Sequence, residues 1–348
     1  MLALALVALT TGCVHTEEFR DSDGNVIPGS IASMEMLTLG NLPQSVWLRG
    51  VSRENPLLIL LHGGPGASES ALFRQYNAVL EEKFLVVYWD QRGAGRSFHD
   101  DIPTESMTVA QFVADLDSLV DQLRQRFNQE KVVLLGHSWG TIPGTIYAAQ
   151  YPDKVAAYVG VAQIANMPQG DSYTYNFALS EASRLGDTRA IEALREIGPP
   201  PYATVDGRLE TGRWVEKYGG VYHSDLTTGK LILTALGADE TNLMDLVRFG
   251  RGNRFSLEQL EDEHSTARLD EDYLVFDVPV LFLLGRHDHH VPAVLAADYF
   301  DRTTAPCKRL VWFEQSAHNP PFEEPDKFNL VLTEDLMTML ESPTQGCE

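Results

Sequence analysis

Basic residues are scarce in this 348-residue chain: 27 Lys and Arg stand against 49 Asp and Glu, for a formal charge of −22. Phosphates and anionic lipids are gripped by basic patches, so this balance argues against nucleic acid and anionic membrane surfaces as partners. It suits a cationic substrate or, more simply, solubility. Cysteine is rare too, at three residues, and neither Cys307 nor Cys347 has a neighbour that suggests catalysis or metal binding. The apolar run Met1–Gly12 is too short to span a bilayer as a helix. Repeats and low-complexity tracts are lacking. What is present, 44% hydrophobic and 22% charged residues, is the make-up of a folded globular chain long enough for one large α/β core with an insertion.

Met1–Gly12 ends at Cys13 and resembles the end of a bacterial lipoprotein signal, in which small residues precede a cysteine that is lipidated after cleavage. No Lys or Arg precedes the apolar run, and Thr10 stands where such signals usually carry Leu. A lipid anchor at Cys13 would place the protein in the cell envelope, where Cys307 and Cys347 could pair. A merely hydrophobic N-terminus would leave it in the cytoplasm.

Residues 14–32 are polar with Gly and Pro and suggest a tether. Met34–Leu39 and Ser45–Arg49 form a first pair of strands. Leu57–Leu61, Phe84–Trp89, Val132–Leu135, Val155–Val161, Val278–Leu284 and Lys308–Phe313 are strands rich in apolar residues. Helices are expected at Ser70–Lys83, after Thr108 with Gln111 completing a capping box, at Thr141–Tyr151, at Ala293–Phe300 and from Pro325 to Leu340. Such alternation predicts a mostly parallel sheet with helices on both faces. It breaks over residues 164–277, where short amphipathic segments (Asn176–Leu185, Thr188–Ile197, Leu243–Phe249, Ser256–Glu263) predict a helical insertion. The expected organisation is a leader at 1–13, a tether at 14–32, a core at 33–163 and 278–341, and a cap at 164–277.

The chemistry centres on Gly136-His137-Ser138-Trp139-Gly140, which follows a strand and opens a helix. In that context Gly-x-Ser-x-Gly is a nucleophile elbow, a turn so tight that the serine is strained and its flanking positions admit only glycine. Ser138 then needs a base and a carboxylate to orient that base, following in the order Ser, acid, His. Asp288 in Gly285-Arg286-His287-Asp288 and His318 in Ser316-Ala317-His318-Asn319-Pro320 lie beyond later strands in that order. The oxyanion is expected to meet the N–H of Trp139 and one from His62-Gly63-Gly64-Pro65-Gly66, assigned to Gly64. That loop lacks the Lys-Ser/Thr ending of a phosphate cradle. His137, inside the elbow, is expected to pack beneath the turn. His287, His289 and His290 crowd the acid but do not converge as a helical i, i+4 pair would, so no metal is expected. Asp298 and Asp301 fall on or after a helix and are expected in solvent. No cofactor is expected.

The set HGGPG, DQRGAGRS, GHSWGT, GRHD and SAHNP resembles the α/β-hydrolase fold and, within it, the prolyl aminopeptidase (proline iminopeptidase) family. The resemblance covers roughly 57–161 and 278–340. It implies the triad Ser138, Asp288 and His318, a helical cap, and release of N-terminal residues, proline above all, from short peptides. Members hold the substrate's α-amino group with cap glutamates, one of them beside a tryptophan. Trp214-Val215-Glu216 is a loose echo that makes Glu216 the candidate, while Glu181, Asp225, Asp239 and Glu240 qualify by charge alone. The same core would serve a carboxylesterase or lactonase, and a slow-turnover ligand-binding protein could retain it. Nothing in the sequence sets the oligomeric state.

Overall fold

The computed structural model describes residues 15–341 and 347; the expected leader and Cys13 lie outside them. The strands are β1 (Ile31–Leu39), β2 (Leu42–Gly50), β3 (Leu57–Leu61), β4 (Leu85–Trp89), β5 (Val132–His137), β6 (Val155–Val161), β7 (Val280–Gly285) and β8 (Lys308–Phe313). They form one sheet in the order β1-β2-β4-β3-β5-β6-β7-β8. The first two pairings, β1 with β2 and β2 with β4, are antiparallel, and all the others are parallel.

Every residue of β3, β4, β5 and β7 is buried, which is why these strands are apolar without alternation. Leu57, Ile59 and Leu61 join the apolar cluster on one face, and Leu58 and Leu60 join that on the other. The sheet order reverses between β3 and β5, so the crevice beyond their carboxyl ends is the natural place for a site. The His62–Gly66 loop and Ser138 both lie there.

The helices are α1 (Ser70–Tyr76), α2 (Leu80–Lys83), α3 (Val109–Phe127), α4 (Thr141–Gln150), α5 (Met167–Leu185), α6 (Thr188–Ile197), α7 (Val205–Lys217), α8 (Thr228–Leu236), α9 (Leu243–Thr266), α10 (Leu269–Asp272), α11 (Ala293–Arg302) and α12 (Pro320–Glu323). Helices α5 to α10 are inserted between β6 and β7 as a cap. The cap has its own apolar cluster, in which Tyr175, Ala178 and Ala182 of α5 meet Leu194 of α6 and Trp214 and Val215 of α7. Arg96, in the core, pairs with Asp245 of α9 at 2.7 Å and so ties core to cap.

Several local expectations are corrected. The helix expected at Ser70–Lys83 breaks at Asn77, whose N–H caps α1 on Phe73 and whose carbonyl accepts from Leu80. Leu243–Phe249 and Ser256–Glu263 are one continuous helix, α9, of 24 residues. Gly252 within it is a packing device: a Cβ there would lie 2.5 Å from the Gly93 carbonyl oxygen. Thr108 does cap α3 through the Gln111 N–H, but Gln111 turns its own side chain to Asp115, so the box is half made. The last helix runs Pro325–Leu330 and Met337–Glu341 with a wider π turn, Val331–Leu336, between them. The segment expected as a tether lies on the core. Its Phe19 ring sits 4.8 Å from the Arg49 guanidinium, and Arg49 is itself buried against Glu81 at 2.9 Å. Cys307 and Cys347 are disulfide-bonded.

Candidate active site

The elbow has the geometry its sequence demands. Ser138 has φ +52°, a left-handed conformation that costs a non-glycine residue energy and marks a constrained turn. A Cβ on Gly140 would lie 1.9 Å from the Leu61 carbonyl oxygen, and one on Gly136 would lie 2.7 Å from that of Gly140. Glycine at both positions lets α4 pack hard against the end of β3. Trp139 belongs to the short turn Ser138–Gly140 that feeds α4, so its N–H is a first-turn donor without an intrahelical acceptor. The Trp139 ring is fully buried, edge-on to Phe112 and to His264 of the cap.

The glycine-rich loop lies beside the elbow: a Cβ on Gly63 would be 3.2 Å from that of Ser138. Gly64 follows with φ +116°, open only to glycine. The Gly63 N–H donates to Glu69 Oε2 at 3.1 Å. His62 ties this loop to the next, accepting from the Gln91 N–H at 3.1 Å. Asp90 accepts from Ser68, Ser70 and the Arg96 N–H. Arg92 forks onto Asp115 at 2.8 and 3.0 Å. The Asp-Gln-Arg-Gly motif is thus a brace for the glycine-rich loop.

His318 Nδ1 is 2.9 Å from Asp288 Oδ2. The other carboxylate oxygen, Oδ1, accepts from the N–H groups of His290 and Val291 at 2.9 and 2.8 Å. Both side chains are buried, which pushes the Asp288 carboxyl up, to about 7, and the His318 imidazole down. At 2.9 Å apart the two groups titrate as a pair, and the first proton bound below neutral pH goes to one or the other. If that proton sits on Asp288, His318 turns its lone pair to Nδ1 and carries a proton at Nε2. If it sits on His318, both nitrogens are occupied. In either form Nε2 cannot act as a base. The loops bearing these groups are clipped by the cap, since the His289 and His318 N–H groups donate to the Gly220 and Val221 carbonyls, each at 3.0 Å.

Ser138, His318, Gly63, Gly64, Glu69 and His137 line one cavity of about 350 Å³, whose other walls include the cap residues Asp171, Tyr202, Arg208, Glu216 and His264. The expected Ser138, His318 and Gly64 are thus brought together, with Asp288 directly behind His318. Glu216 reaches the same cavity from α7, accepting from the Thr228 N–H and hydroxyl at 3.1 and 3.0 Å. Of the residues considered by charge alone, Glu181 is bound to Arg184, Glu240 lies near Arg74, and Asp225 and Asp239 are exposed. The three histidines near the acid diverge. His287 stacks on His223, His289 on Phe177, and His290 meets the His318 ring edge-on.

Sequence reasoning missed Glu69, Asp171, Arg208 and His264. Arg208 bridges Asp171 and Glu261, so two carboxylates share one guanidinium and the cluster carries a net negative charge at the cavity wall. A second, mostly apolar cavity of about 220 Å³ lies alongside and shares Glu69, Tyr222, Thr228 and Asn319 with the first. A carboxylate just after the glycine-rich loop was the one available sign of Glu69. Nothing local marks the cap residues.

Residues 56–188 match the family described as alpha/beta hydrolase fold. The chain is 36% identical over 301 residues to the probable aminopeptidase YbaC of Bacillus subtilis, covering 86% of this chain and 94% of that protein. It is 26% identical to the proline iminopeptidase of Heyndrickxia coagulans, over 79% of this chain and 88% of that one. The crystal structure of a proline iminopeptidase from Mycobacterium smegmatis superposes with a TM-score of 0.63 at 17% identity, covering 89% of this chain and all of the other. The chain is a hydrolase and belongs to the α/β-hydrolase family, in its proline iminopeptidase-like branch.

Proposed function

We propose that this hydrolase is a serine aminopeptidase that releases N-terminal residues, proline favoured, from short peptides. The observation that carries the chemistry is the 2.9 Å contact of His318 with Asp288 at a cavity that Ser138 also lines. His318 Nε2 takes the Ser138 proton as Oγ attacks the scissile carbonyl. Asp288 holds the imidazole in the tautomer that leaves Nε2 free. The Trp139 and Gly64 N–H groups receive the oxyanion; Gly63 is not the donor, because its N–H is committed to Glu69. His318 then protonates the leaving amine, and water, deprotonated by the same histidine, releases the acyl group from Ser138.

The exopeptidase reading draws on the names of the relatives and on the acidic cap wall. A substrate ammonium would meet Glu216 or the Asp171–Arg208–Glu261 cluster, and a buried carboxylate favours a cationic partner over an uncharged one. The adjoining apolar cavity favours a second reading, an esterase for uncharged acyl groups.

A matched set of substrates separates the two: prolyl arylamide, N-acetylprolyl arylamide, alanyl arylamide and a short-chain nitrophenyl ester. An aminopeptidase cleaves the free-amine prolyl compound and refuses its acetylated twin. Cleavage of the ester alone would replace the first reading with the second.

A further inference from the structure

Behind the reacting groups lies a buried pair that the mechanism above does not use. His137 immediately precedes the nucleophile, and only 1% of its surface is exposed. Its Nδ1 is 2.8 Å from Glu69 Oε1, and its Nε2 is 3.1 Å from the backbone carbonyl oxygen of His318. A carbonyl oxygen can only accept, so Nε2 carries a proton. Glu69 is 13% exposed at its side chain, and its second oxygen accepts the Gly63 N–H at 3.1 Å. One carboxylate and one imidazole therefore touch the glycine-rich loop, the elbow and the base loop at once.

We propose that His137 and Glu69 form an ionic strut, a pair of positioning residues that sets the oxyanion loop, the nucleophile and the base relative to one another. The inference rests on the reading of Ser138 and His318 as nucleophile and base. With Glu69 ionised, both ring nitrogens of His137 donate, and the imidazolium bonds to both neighbours. Burial works against charge on both partners. Their mutual attraction outweighs it, raising the His137 pKa and lowering that of Glu69. The other groups facing the pair do not compete for its proton. His62 accepts from Gln91 at Nε2 and donates from Nδ1 to the Gly63 carbonyl, so it is neutral, while Asp288 is occupied by His318 and two N–H donors. The His318 ring lies 5.3 Å from that of His137, where the imidazolium disfavours a proton on His318 and the Glu69 carboxylate favours one; because these two fields oppose, the strut acts mainly through placement.

The test compares wild-type protein with Glu69→Gln, His137→Asn and the double variant. Glu69→Gln leaves no unpaired charge, since His137 can release its proton, and the double variant removes both charges together. Nitrogen NMR of histidine-labelled wild-type protein at neutral pH is expected to find both His137 ring nitrogens protonated, and only one in Glu69→Gln. Displacing a reacting group by about 1 Å is expected to lower kcat by about 10²-fold with KM nearly unchanged. The double variant should lose no more than the worse single one, and Glu69→Asp should recover part of the loss. A singly protonated His137 in the wild type would overturn the proposal. So would unchanged kcat in folded Glu69→Gln, or losses that multiply in the double variant. Wild-type protein without turnover would count against the hydrolytic reading, and the protonation of His137 would then decide the strut independently.

Discussion

Gly285 and Ala317 approach so closely that a Cβ on Gly285 would lie 1.8 Å from the Ala317 carbonyl oxygen. Gly285 ends β7, three residues before Asp288, and Ala317 precedes His318, so this contact sets the separation of Asp288 and His318. Gly285→Ala is expected to push the two loops apart, destabilising the protein by about 1–3 kcal/mol or more. It should also reduce kcat more than KM, because the Asp288–His318 contact is stretched. Thermal unfolding and steady-state kinetics on one preparation check both.

Asp288 accepts three hydrogen bonds, one from His318 and two from backbone N–H groups. Asp288→Asn keeps the shape but donates toward Nδ1, which forces the imidazole proton onto Nε2. Loss of kcat of about 10⁴-fold is expected, with the fold intact by circular dichroism. A folded variant of near-normal activity would remove Asp288 from the mechanism.

The acid limb of kcat/KM follows from the shared proton of the pair. With the Asp288 carboxyl raised to about 7, activity should fall as the pH drops through about 7, with the slope of a single proton. Stability has a separate pH signature in His264, whose imidazole burial pushes down to about 3. The folded protein keeps this histidine neutral, while the unfolded chain protonates it below about 6.5. Its contribution is therefore complete above that pH and is lost as the pH falls toward 3. The loss is about 1.4 kcal/mol per pH unit below 6.5. Thermal melts from pH 7 to pH 5 should decline more steeply in the wild type than in His264→Gln.

In the proposed function, cap carboxylates meet the substrate ammonium. Glu216→Gln and Asp171→Asn are expected to raise KM for a prolyl arylamide while leaving hydrolysis of a neutral ester nearly unchanged. Asp171→Asn should also lower stability, because Arg208 keeps Glu261 but loses its closer partner. If neither change separates the two substrates, ammonium recognition lies elsewhere in the cavity.

The core was legible because its signals are local. Leu57–Leu61 is apolar because both faces are covered, and Gly136 and Gly140 stand where a Cβ has no room. Asp288 and His318 follow strand ends, so chain order alone brought them to the elbow. The cap resisted for the opposite reason. Gly252 resembles a helix breaker but serves a close contact with Gly93, which is 159 residues earlier in the chain and visible only in three dimensions. Arg208 meets Asp171 and Glu261 from three separate helices, and Glu69 meets His137 across 68 residues. Such pairings have no spacing to recognise.

Every catalytic step proposed above depends on Ser138 being an activated nucleophile. Treating the purified protein with a fluorophosphonate and mapping the adduct by mass spectrometry tests it most directly. Rapid, stoichiometric labelling is expected at Ser138, slowed in His318→Ala and absent in Ser138→Ala. A folded wild-type protein that stays unlabelled, or that is labelled equally well after Ser138→Ala, would contradict it.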